Sequence, residues 1–223
     1  IDVDRISGVI DGETDLSNDQ NRVGIISNFV VGGNTIINDS DAELRIDSFR
    51  SSGSDVLIKT TGNASDILIG QLVHSGSGSV TLNSADDILN WSGESLLIAQ
   101  QLRLIADNAV GDFSAAVDLR TDVDDLAATV AGDNRGDLLI ENLDPNRPIR
   151  LGSFELDPND LGRPIETSNG QIVILAAAGI EVLDLTPTDA DADLKGDPEI
   201  VARGEFGRID LEAPVVDLRD GVQ

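Results

Sequence analysis

The sequence predicts an all-β fold, a parallel β-helix, and three observations carry that prediction. The first is a repeat. SVTLNSADDI (79–88), QLRLIADNAV (101–110), QIVILAAAGI (171–180) and RIDLEAPVV (208–216) share one outline: a small or polar residue, branched-x-branched, Ala within a few positions, then another branched residue. Val80 and Leu82 match Leu102 and Leu104 at an offset of 22, and Ile172 and Ile174 match Ile209 and Leu211 at an offset of 37. Repeats of this size mark stacked coils, none of which can bury its inner face alone. The second observation is the apolar set: Leu, Ile, Val and Ala, with five Phe, one Trp and neither Tyr nor Met. Small branched side chains suit stacked strands better than an irregular interior. The third is punctuation, since the β-prone runs are short and bounded by Gly, Ser, Asp or Asn, with no convincing helix cap.

Along the chain, residues 1–50 do not follow the repeat, although RVGIISNFVVGG (22–33) and NTIIN (34–38) are β-prone. This part is expected to form an irregular N-terminal cap or a subunit-pairing segment, and residues 51–223 the β-helix. SDVLIKT (54–60) and SDILIGQ (65–71) nearly match eleven residues apart. The unit is thus a strand plus a turn, and two or three units make a coil of 21–22 residues. ESLLIAQ (94–100) and GDLLIEN (136–142) add further strands.

ADNAVGDFSAAVDLRTDVDDLAATV (106–130) carries two patterns. Leu119, Val123, Leu126 and Val130 have helical spacing, whereas Val117, Leu119, Thr121 and Val123 alternate as in a strand. A helix would carry Asp118, Asp122, Asp124 and Asp125, all weak helix formers, and would break a register present on both sides. Strands are therefore expected over 117–121 and 126–130, facing each other across an Asp-rich corner at 123–125. The longer 37-residue step is expected to hold an acidic loop insertion at about 186–206, which includes TPTDADADLKGDPE (186–199).

GSVTLNSADDIL, LRLIADNAVGDFSAAVDLRTDVDDLAATVAG and GDLLIENL resemble the degenerate repeats of filamentous-haemagglutinin-type proteins and related giant bacterial surface proteins. The resemblance covers about residues 54–142, is weaker over 170–220 and does not reach 1–50. It implies a right-handed parallel β-helix (β-solenoid) in a secreted, cell-surface adhesin or fibre segment. It implies no catalytic residues, because those repeats have none to carry over.

Charge narrows the partners. The chain has 41 acidic residues, 31 of them Asp, against 15 basic ones, and a net charge of −26. Such a surface repels nucleic acid and anionic membranes, and suits a salt-adapted secreted protein or one that binds divalent cations. The absence of Cys removes disulfide and thiol chemistry. No segment approaches 18 continuous apolar residues, so no membrane insertion is expected. Without an initial Met, the chain is expected to be a processed product or a piece of a longer protein.

Asp189, Asp191 and Asp193 alternate ahead of Asp197 and Glu199, a spacing that could aim several carboxylates at one Ca²⁺. The EF-hand pattern fails there, with Leu194 where Gly belongs and Ile200 where Glu belongs. Lesser candidates are the corner pairs Asp86 with Asp87 and Asp124 with Asp125. His74, the sole histidine, is expected in an exposed turn, and Trp91 as a packed side chain covering an edge or coil end. No triad can be assembled, and no enzyme is expected. The tail VVDLRDGVQ (215–223) follows a repeat-like strand with no polar cap, which predicts self-association into a fibre or continuation within a larger protein. The expected function is a structural or adhesive module stacking end to end; the rival is a polysaccharide-binding or polysaccharide-degrading β-helix protein.

Overall fold

The computed structural model describes residues 1–53, 55–112, 118–132, 136–152, 165–182, 200–202, 205 and 207–218. Among these, all regular structure is parallel β-strand, wound as a solenoid. The chain passes three walls in fixed order. β1 (Asp2–Ile10) covers the first and second walls and β2 (Thr14–Leu16) the third; β3 (Arg22–Val31) and β4 (Thr35–Asp39) repeat that circuit one coil on. The next coil has one strand per wall: β5 (Glu43–Ile46), β6 (Phe49–Ser51) and β7 (Val56–Thr60). So does the coil of β8 (Asp66–Ile69), β9 (Gln71–His74) and β10 (Ser79–Ser84). β11 (Ile88–Asn90) takes the first wall, and β12 (Leu96–Ala106) bends from the second to the third.

Val110 then holds the first wall through single bridges to Ile88 and Leu138, while β13 (Leu119–Val130) spans the other two. β14 (Leu138–Asn142), β15 (Ile149–Leu151) and β16 (Ile165–Thr167) follow. Next come β17 (Gln171–Ala176), β18 (Ile180–Val182) and β19 (Ile200–Ala202), then β20 (Arg208–Glu212) and β21 (Val216–Leu218).

Alternation along each strand sends every second side chain inward, and parallel register stacks those side chains into columns whose successive members are about 4.8 Å apart. On the third wall the column runs Leu16, Ile37, Ile58, Leu82, Leu104, Ala128, Ile165, Ile200. On the first it runs Leu44, Ile67, Ile88, Val110, Leu138, Ile172, Ile209. Phe29, Phe49, Leu72 and Leu97 stack on the second wall, with the two Phe rings 6.1 Å apart. Apart from the terminal Leu16 and Ile209, these residues are buried, which explains why branched side chains of nearly one size recur at the coil period.

The 22-residue offset is the β10–β12 register and the 37-residue offset is the β17–β20 register. Residues 2–51, where no repeat is legible, lie in the same ladders. Their strand β1 is the terminal rung, paired with β3. Residues 200–202, inside the span expected as an acidic insertion, are strand β19 of the third wall, and 186–199 lie outside the described residues.

The region 119–130 is strand, but not two strands facing each other. β13 is one continuous element of 12 residues. Its alternation slips at Asp125 and Leu126, both buried, where the strand bends from the second wall to the third. The Asp-rich corner is therefore a bend within a strand. One further corner depends on glycine: a Cβ on Gly76 would lie 1.7 Å from the Gly53 carbonyl oxygen, and one on Gly53 would lie 2.1 Å from that of Gly33. Backbones of successive coils approach there more closely than any side chain allows.

Two single-residue expectations are corrected. His74 is buried in β9, at 3% exposure, because its register partner Ser51 sets it on the inward phase of the second wall. Trp91 covers neither an edge nor a coil end. It is 49% exposed on the turn between β11 and β12, at the side of the solenoid.

Candidate functional site

At the corner between the third and first walls, two coils bring three carboxylates together. Asp66 opens β8; Asp86 and Asp87 sit one coil on, just before β11. One oxygen from each lies within 4.8 Å of the others. The backbone fixes this arrangement: the Asp87 N–H donates to Asp66 Oδ1 at 3.1 Å, and the Ile67 N–H donates to the Asp87 carbonyl at 2.8 Å. From the following coil, Asn108 Nδ2 donates to Asp87 Oδ1 at 2.8 Å.

Electrostatics oppose three ionised groups here. Burial, followed by the charges of Asp86 and Asp66, pushes the Asp87 carboxyl up to about 6. Burial also raises Asp66, with Asp86 and Glu43 adding repulsion. A trio of this kind is relieved by a proton or by a hard cation with oxygen ligands. The pair Asp86 and Asp87 is marked in the sequence, whereas Asp66 is not. The signal that finds it is the coil period itself, because Asp66 precedes Asp87 by 21 positions.

A carboxyl raised in the folded state binds its proton more tightly there than in the unfolded chain. Asp87 thus favours folding at low pH and loses that contribution as pH rises from about 4 through 6. Asp87→Asn is expected to raise stability at pH 7 by about 1 kcal/mol, after discounting the shift for partial solvent exposure. The gain should vanish below pH 4. Urea unfolding at pH 7.5 and pH 4 checks it, and equal gains at both values would show that ionisation is not the cause.

The other sequence-marked pair does not converge. Asp124 reaches Arg147 Nη1 at 2.5 Å, while Asp125, its side chain 4% exposed, is held by Arg150 at 2.7 and 2.8 Å. Arg147 also meets Asp144 at 2.6 Å and Asp122 at 3.7 Å. The Asn146 N–H, with Arg147, keeps the Asp144 carboxyl low, whereas burial raises that of Asp122. Asp122, Asp124 and Asp125 thus face arginines of the next coil, and Asp144 of that same coil holds Arg147 in place, an arrangement that braces the β13 bend. Asp189, Asp191, Asp193, Asp197 and Glu199 lie outside the described residues.

A second feature stands on the corner between the first and second walls. The Arg45 guanidinium carbon lies 4.4 Å from the centroid of the Trp91 ring, and Asp47 holds Arg45 through Nε at 2.6 Å and Nη2 at 3.1 Å. The coil between contributes only Gly70 to this corner, since β8 ends at Ile69 and β9 begins at Gln71. With no side chain at Gly70, an arginine two coils below can meet the indole. No protein-family model matches the chain, nor does any curated protein or solved structure.

Proposed function

We propose that the chain is a structural or adhesive module of a secreted bacterial surface protein or extracellular filament, extended by end-to-end stacking of solenoid coils. One observation carries this reading: apolar residues stand exposed at both ends of the described stack. Strand β1 leaves Val9 71% exposed beside Ile1 and Ile10, and the far end exposes Val215 at 64% with Ile209 and Val216. β1 is a terminal rung whose outer backbone edge offers hydrogen-bonding groups to a further strand, and such edges invite pairing. Stacking one end on the other is a heterologous contact, which propagates as a filament. The repeat phrases between residues 54 and 142, similar to those of bacterial surface fibres, support the extracellular and adhesive setting.

Both ends are acidic, with Asp2, Asp4 and Asp11 at one and Asp210, Glu212 and Asp217 at the other. Association therefore has to overcome like-charge repulsion, which salt screens. Electron microscopy and light scattering are expected to show unbranched filaments that lengthen with protein concentration and with salt. Monodisperse single chains at every concentration and ionic strength would overturn the proposal.

A further inference from the structure

We propose that the Trp91 corner is a stacking platform for a pyranose unit of a neutral polysaccharide. Trp91 is the chain's only tryptophan, and the other described aromatics, Phe29 and Phe49, are interior. Trp91 is the one aromatic ring among the described residues that stands half in water, on a chain of net charge −26. Its position is fixed rather than loose. The Trp91 N–H donates to the Ile69 carbonyl at 2.7 Å, and the turn closes through Ser92 N–H to Ser95 Oγ at 2.9 Å and Ser95 N–H to the Ser92 carbonyl at 3.0 Å.

One ring face is already occupied. Arg45 lies over it and is held by Asp47, a cation–π contact that fixes the ring against the coil two below. Trp91 keeps 49% exposure beside this contact. The C–H face of a pyranose fits such a surface, because the ring is rigid and pays little entropy on binding. Both Asp47 oxygens keep spare lone pairs for sugar hydroxyls beside the ring.

Charge selects among glycans. With Asp47 at the platform and a net charge of −26, uronate or sulfated chains are repelled, whereas neutral ones are not. The site lies on the side of the solenoid, away from both ends, so it stays accessible whether or not chains stack.

With no Tyr and a single Trp, indole fluorescence reports this site alone. The experiment titrates dispersed protein at low salt with cellohexaose, laminarihexaose and, as the anionic comparison, hexagalacturonate. At least one neutral hexasaccharide is expected to give a saturable emission change with a Kd in the millimolar range, about −4 kcal/mol for one stacking residue. Hexagalacturonate should give none. Because Trp91→Ala removes the fluorophore, it is followed by ligand-observed NMR, in which saturation transfer to the sugar should disappear while circular dichroism is unchanged. Trp91→Phe should retain weakened transfer. Absence of a saturable change with both neutral sugars, equal binding of the anionic one, or undiminished transfer with Trp91→Ala would each overturn the proposal. None of these readouts depends on filament formation, so the two proposals fail separately.

Discussion

Leu82→Asp is expected to abolish cooperative folding, while Thr81→Asp, one position away, is expected to change stability by less than about 0.5 kcal/mol. The two residues are neighbours in β10 with opposite phases. Leu82 is fully buried between Ile58 and Leu104 in the third-wall column, and Thr81 is on the outer phase between Leu57 and Arg103. An aspartate at 82 would be an ion among branched side chains with no partner in the column. Burying an uncompensated charge costs more than about 5 kcal/mol, comparable to the whole stability of a typical domain. An aspartate at 81 stays hydrated and gains Arg103 as a cross-strand neighbour.

Because each coil is stabilised by its neighbours, the loss at 82 should not remain local: both adjoining coils lose their inner packing. Far-UV circular dichroism and urea titration of the two variants would check this contrast. Comparable stability of the two would mean that the inward phase of β10 is wrong, and with it the register of the whole third wall.

What the sequence made legible follows from the same physics. Inward positions repeat because a column accepts only side chains that match the ones above and below, so SVTLN and QLRLI align by eye and by register alike. The first two coils obey the same constraint without displaying it. There a single strand turns the corner between the first two walls, β1 at Gly8 with φ 135° and β3 through Ser27 and Asn28 with Asn28 at φ 51°, so no separate turn segment punctuates the sequence. The corners are legible as composition but not as geometry. VDD was recognisable as a corner, yet whether a turn or a bend makes it depends on residues about a coil away. The same holds for Asp66, distant in sequence from Asp86 and adjacent in space, and for His74, whose burial depends on phase and not on its polar neighbours.

Asn142 is the clearest instance, and its removal is the second large effect expected. It ends β14, at the close of GDLLIEN, where an Asn reads as ordinary strand punctuation. In the structure it is 1% exposed and faces Thr121 of the neighbouring coil. Its Oδ1 accepts from Thr121 Oγ1 and from the Val123 N–H, each at 3.0 Å, and its Nδ2 donates to the Val123 carbonyl at 3.3 Å. One side-chain amide therefore takes both backbone groups of the residue just before the β13 bend. It replaces the ladder partners that the bend withdraws. Asn142→Ala would leave a buried N–H, a carbonyl and a hydroxyl without these bonds, and each orphaned group costs about 1–3 kcal/mol. Part of that is recovered by relaxation, so the expected loss is about 3 kcal/mol. Asn142→Asp should be as damaging, because a carboxylate has no proton for the Val123 carbonyl and adds a buried charge with no cation to pair it. Amide exchange offers the decisive measurement, since Val123 should lose its protection in Asn142→Ala while Leu104, deep in the third wall, retains most of its own relative to global stability. An unchanged Val123 exchange rate would mean that the bend is held by the Arg147 and Arg150 ion pairs alone.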